Sequence, residues 1–150
     1  MSNVLRISDA ASLGLHAMVL LAADSQKEIS TRQIASELQV SEAHLSKVLQ
    51  RLGKVGLVTS SRGPRGGFAL ARKAEEITLL DVYEAIDGPL VPNNCLLGSR
   101  ICGGERCILG DLLETVDSQV REYLATTRLH ELTSIYLPKD SQREEEDADA

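Results

Sequence analysis

Clustered thiols can bind soft metals, hold an iron–sulfur cluster or exchange disulfides. All three cysteines of this 150-residue chain lie within thirteen positions, CLLGSRICGGERC at 95–107. Six residues separate Cys95 from Cys102, and four separate Cys102 from Cys107. Thiolates are the natural ligands of iron–sulfur clusters and of zinc. Zinc favours tight Cys-x-x-Cys knuckles, which this loop lacks. Gly103 and Gly104 let the backbone wrap closely round a bulky group. Arg100 and Arg106 place positive charge where it offsets that of thiolates or a cluster. An iron–sulfur cluster, a metal-free thiol or disulfide switch and structural zinc are all open to these residues. The loop itself holds no fourth cysteine.

A second chemistry is carried by polar and basic side chains in the first half. Residues 1–72 hold nine Lys and Arg against five Asp and Glu, a net +4, although the whole chain is at -6. Residues 73–150 carry the opposite imbalance, ending in the acidic SQREEEDADA. A basic half fits a nucleic-acid surface. Helix 41–52 turns Ser41, His44, Lys47 and Gln50 outward, groups able to read base edges, and Arg51 beside them can grip a phosphate. SRGPRGG carries Arg62 and Arg65 on a glycine-rich turn, placed for phosphate or minor-groove contact. It is not a phosphate-cradling Walker loop, since no Gly-Lys-Ser/Thr closes it.

These groups need a scaffold. Aromatics make up only 3% of the chain, with no Trp and one Phe, so the core must be aliphatic, which suits helices. Residues 9–23 read as a largely buried first helix. Ser30 and Gln33 form a capping box that opens a second. Ser41 caps a third, whose buried stripe is Leu45, Val48, Leu49 and Leu52 and whose end is Gly53 or Gly56. Two short helices joined by about four residues form a helix-turn-helix. LVTS and GFALA then read as the strands of a hairpin. A hairpin after a helix-turn-helix is a wing. Thr78 caps a further helix with Asp81 in its first turn, ending at Gly88-Pro89. Beyond the cysteines, Leu109, Leu112, Leu113, Val116, Val120, Tyr123 and Leu124 fall at steps of three and four. Such a stripe calls for a second surface, and a two-fold helix-to-helix dimer on palindromic DNA supplies one. Thr126-Thr127 breaks this helix, and LHELTSI continues it briefly.

RGPRGGFALARKAEEITLLDVYEAIDGP resembles the wing and following helix of the IscR/NsrR-type bacterial transcription regulators. LGKVGLVTSSRG and TTRLHEL are similar to that family too, and the resemblance covers residues 5–137. It implies a homodimeric winged-helix regulator whose three-cysteine loop carries a 2Fe-2S or 4Fe-4S cluster. Relatives more often have five residues in each gap, so the six-and-four spacing here departs from their pattern. Some place a His three residues after the last Cys, where this chain has Gly110. Others take a ligand from the first helix of the opposite subunit. Aligned with that helix, Ser12 occupies the usual carboxylate slot, leaving His16, Asp9 and, locally, Asp111 as candidates. Each also has an ordinary reading: a half-buried core His, a helix N-cap, and a group stabilising the next helix's N-terminus.

The fold expected is mainly α with a small β-hairpin wing, a winged helix-turn-helix plus a long C-terminal dimerisation helix. Residues 1–90 form the DNA-binding domain, 91–108 the cluster loop, 109–137 the dimerisation helix and 138–150 a disordered acidic tail. The function expected is a non-enzymatic regulator, binding double-stranded promoter DNA as a homodimer and switched by a cluster on Cys95, Cys102 and Cys107. A cluster-free thiol switch and a protein–protein module controlling an enzyme are the alternatives. A thiol enzyme lacks support, because the three His are scattered and none pairs with a nucleophile. No signal-peptide pattern or membrane span is present, so the chain reads as cytoplasmic.

Overall fold

The computed structural model describes residues 5, 7–64, 66–92 and 94–136. Arg65 and the acidic tail at 138–150 lie outside them. Five helices and one hairpin follow in order: α1 (Asp9–Ala23), α2 (Thr31–Leu38), α3 (Glu42–Lys54), β1 (Val58–Ser60), β2 (Phe68–Leu70), α4 (Leu79–Asp87) and α5 (Leu112–Thr126). Short 3-10 segments occupy Ala74–Glu76 and Leu129–Tyr136. This is the expected class, mainly helical with a two-stranded antiparallel wing. No helix among the described residues is long and apolar enough to cross a membrane.

Helix α1 buries Ala11, Leu13, Gly14, Ala17, Met18, Val19, Leu21 and Ala22, residues from nearly every side of its surface. A helix apolar all round belongs at the centre of a core, and α3, α4 and the second 3-10 segment pack round it. Its N-cap is Ser8, whose hydroxyl accepts from the Ala11 N–H at 3.0 Å, so Asp9 is the first helical residue and not the cap. The capping boxes Ser30/Gln33 and Thr78/Asp81 are both closed. Leu45, Val48, Leu49 and Leu52 are buried along α3, as their spacing demands.

Between α2 and α3 the chain turns through Gln39, at φ 54°. Its N–H and that of Val40 close on the Ala35 and Ser36 carbonyls, which satisfies the open end of α2. A side chain in this left-handed conformation is strained, and glycine is not. Gln39→Gly is therefore expected to raise stability by about 1 kcal/mol, read as a higher urea midpoint with an unchanged m-value.

The wing pairs Val58 with Leu70, Thr59 with Ala69 and Ser60 with Phe68. Ile29 adds a short third rung, exchanging both backbone hydrogen bonds with Phe68 at 2.8 and 2.9 Å. Gly67 stands beside that rung, and a Cβ there would lie 2.5 Å from the Ile29 carbonyl oxygen. The wing glycines thus serve a backbone crossing as well as a tip.

Two features depart from the periodicity. Helix α5 starts at Leu112, because Gly110, at φ 61°, turns the chain after Cys107 and leaves Leu109 in that turn. The segment after Thr127 does not extend α5. It bridges back, with Leu79 N–H to Thr127 O and Leu129 N–H to Ile77 O both at 3.0 Å, and buries Leu129 completely.

Candidate nucleic-acid interface and cysteine loop

With its apolar side sunk into the core, α3 presents Ser41, His44, Lys47 and Gln50 to solvent, and all four are exposed. Ser41 also caps the helix, its hydroxyl accepting from the His44 N–H at 3.3 Å, while its own proton stays available to a ligand. Arg62 is exposed at the wing tip next to Gly63, which sits at φ 110°. Ser61, beside it, donates to the Glu28 carboxylate and ties the wing base to the α1–α2 connection. Arg51 is exposed as well. Its guanidinium donates to the Ile86 carbonyl at 3.2 Å, in the last turn of α4. Exposed Arg32 in α2 and Lys54 at the end of α3 flank the same elements and lie outside the sequence-derived set. A count of cations across the whole helix-turn-helix would have found them. The single ion pair among the described residues is Lys27 with Asp24, so none of these cations is neutralised by one.

Between α4 and α5 the chain is almost wholly solvent-facing. None of the cysteines is in a disulfide; Cys95 is half-buried, with Sγ 3.6 Å from the Ser99 carbonyl, and Cys102 and Cys107 are exposed. Val91, Leu96, Leu97 and Ile101 are exposed too, and Ile108 reaches 88%, so these apolar side chains find no cover in this chain's core. A groove of about 850 Å³ runs between the loop and the helices, with Tyr83, Leu90, Val116, Val120 and Cys95 in its lining. Burial, then the nearby Asp87 carboxylate, raise the Tyr83 phenol above its ordinary pKa. Leu112 and Tyr123 are exposed on α5, and Leu124 is its one buried residue among those described.

Asp9, Ser12 and His16 share a depression of about 340 Å³ with Leu38, Val40 and His44, to which no residue of the cysteine loop contributes. His16 Nδ1 lies 2.6 Å from the Ser12 carbonyl oxygen. That oxygen can only accept, so Nδ1 is the donor in this contact and Nε2 is the ring nitrogen it leaves unengaged. His16 is exposed, not a core histidine. Asp111 stands at the N-cap position of α5 without a side-chain cap bond. No three His, Cys, Asp or Glu side chains among the described residues converge to hold a metal ion. The donor set nonetheless fits a cluster in type: three thiols on one loop, none spent in a disulfide, amid uncovered apolar side chains.

A family described as Rrf2, iron-dependent transcriptional regulator, matches residues 7–135. The helix-turn-helix-type transcriptional regulator IscR of Xenorhabdus nematophila is 30% identical over 129 residues, 85% of this chain and 79% of that protein. Among solved structures, CymR, the global cysteine regulator of B. subtilis, superposes with a TM-score of 0.75 at 29% identity, over 89% of this chain and 100% of that one. The oxidized form of Staphylococcus aureus CymR gives a TM-score of 0.67 at 27% identity, over 90% of this chain and 100% of that one.

Proposed function

The chain belongs to the Rrf2 family of transcriptional regulators, and on that premise we propose that it binds promoter DNA as a homodimer switched by an iron–sulfur cluster on Cys95, Cys102 and Cys107. The observation carrying the DNA reading is the polar outer face of α3, held rigidly by four buried residues and set beside a basic wing. Ser41, His44, Lys47 and Gln50 face the major groove, and Arg62 and Arg65 meet phosphates or the minor groove. Dimerisation is supported by α5, whose half-buried Leu113, Val116 and Val120 flank the open groove. A two-fold partner covering that stripe would match a palindromic operator.

A cluster, when bound, supplies a redox- and ligand-sensitive centre whose gain or loss changes the charge and order of residues 91–108. His16, Asp9 and Asp111 are the proposed fourth ligands, and His16 comes first because its Nδ1 contact with the Ser12 carbonyl orients the ring and does not use Nε2. The loop joins α4 directly to α5, so ordering it resets the spacing between recognition helices.

Binding to a promoter fragment, measured across a salt series, tests the DNA reading. The affinity should fall steeply with salt, and Arg62→Ala should reduce the slope of log K against log salt by about 0.9, one phosphate contact. Gln50→Ala should leave that slope alone and relax discrimination at one base pair by about 1–3 kcal/mol. Failure to bind any promoter fragment at low salt would instead favour a protein–protein module.

A second reading, a cluster-free thiol switch, is favoured by the similarity to an oxidized regulator and by thiols that do not converge within one chain. In it two cysteines form a disulfide, giving two electrons and two protons to an oxidant. Iron-free protein whose DNA affinity changes reversibly with peroxide and reductant would establish it.

A further inference from the structure

We propose that Arg51 is a positioning residue, and that the last turn of α4, to which it is tied, relays the state of the cysteine loop to the recognition helix. This rests on the DNA-binding and cysteine-switch reading above, and it reassigns Arg51 from the phosphate contact its sequence position suggests.

Glu84, Ile86 and Asp87, in the last turn of α4, are each engaged by a different partner. The Glu84 carboxylate accepts from the Leu90 N–H at 3.4 Å, immediately ahead of the cysteine loop. The Leu90 carbonyl accepts from the Arg121 guanidinium of α5, so this one residue is gripped from both sides. Ile86 offers its carbonyl to Arg51 of α3 at 3.2 Å. Asp87 accepts from the Ser8 hydroxyl at 2.6 Å and from its N–H at 3.4 Å, at the cap of α1. A guanidinium against the carbonyls of a helix C-terminus also meets the negative end of its dipole, so Arg51 has an electrostatic reason to stay.

Packing makes this turn stiff. The Ile86 side chain is buried where α1, α3 and α4 meet at Gly14. A Cβ on Gly14 would lie 3.3 Å from Ile86 Cγ1 and 3.4 Å from Val48 Cγ1, so α1 has no room for another methyl group against either α4 or the recognition helix. A close-packed junction passes displacement on without absorbing it. A shift of Leu90 as the loop changes state pulls on Glu84 and, through Ile86 and Arg51, re-aims α3.

Arg51→Met removes the charge and the donors with little change in length. The full chain is titrated onto a promoter fragment that wild type binds, in cluster-loaded and cluster-stripped forms, across a salt series. The relay predicts a wild-type salt slope and a loss of the affinity difference between the two forms, which in coupled systems is roughly 5–150-fold. A slope lower by about 0.9 would make Arg51 a phosphate contact and overturn the proposal, as would an unchanged slope with an unchanged difference. Glu84→Ala, remote from DNA, should abolish the same difference and carries the test if Arg51→Met does not fold. Where wild type shows no difference between forms, the cysteine-switch reading fails separately, and hydrogen exchange decides the relay. Glu84→Ala should then speed exchange in the last turn of α3, at 51–54, and unaltered exchange there would sink it.

Discussion

Cys102→Ala is expected to yield a folded protein with no iron–sulfur cluster, colourless after anaerobic purification and carrying background iron and sulfide. The substitution removes one of three thiolates, and a cluster left with two is lost or scavenged. Folding should not suffer. Cys102 is exposed, its neighbours 99–108 are exposed, and surface changes of this kind stay within about 0.5 kcal/mol. Visible absorbance, iron and acid-labile sulfide, and a thermal melt together check the prediction. Wild-type iron content in the variant would remove Cys102 from the ligand set, whereas iron-free wild type from cells competent in cluster assembly would remove the cluster. The same assay ranks the remaining ligands: His16→Ala should labilise the cluster more than Asp9→Ala or Asp111→Ala.

Leu129→Ala has the largest expected effect on stability, about 3 kcal/mol, within the range for a buried leucine truncated to alanine. Leu129 is fully buried, and its N–H is held by Ile77 O at 3.0 Å, so the site has little freedom to collapse. Urea unfolding should show the loss as a lower midpoint. If residues 129–136 served only dimer contact, the variant would dissociate without losing midpoint at low protein concentration.

Local chemistry was legible because its partners are close in sequence. Ser30 with Gln33, and Thr78 with Asp81, are three residues apart, and the buried stripe of α3 repeats every three or four. The wing was legible for the same reason, as a hairpin of LVTS and GFALA around SRGPRGG. What escaped depends on distance along the chain. Nothing near Arg128 announces that it pairs with Thr78, and nothing near Arg51 announces the Ile86 carbonyl 35 residues on. The N-cap of α1 fell one residue early, on Ser8, because serine and aspartate cap comparably well and Asp9 suits a first turn as readily. The three clustered cysteines were plain from the sequence, but what they meet depends on which surfaces come together.

The strap that returns residues 127–129 to 77–79 has a mechanical consequence. It fixes one end of α5 to the core, while the other end, at Leu112, joins the cysteine loop. The helix is therefore a lever with its fulcrum at Thr127. Its 15 residues span about 22 Å, so a swing of about 10° moves the Leu112 end by about 4 Å. A swing through that arc would strain the Arg121 contact with the Leu90 carbonyl but would leave Leu129 in the core. The Thr127 end keeps its place in the core while the far end travels.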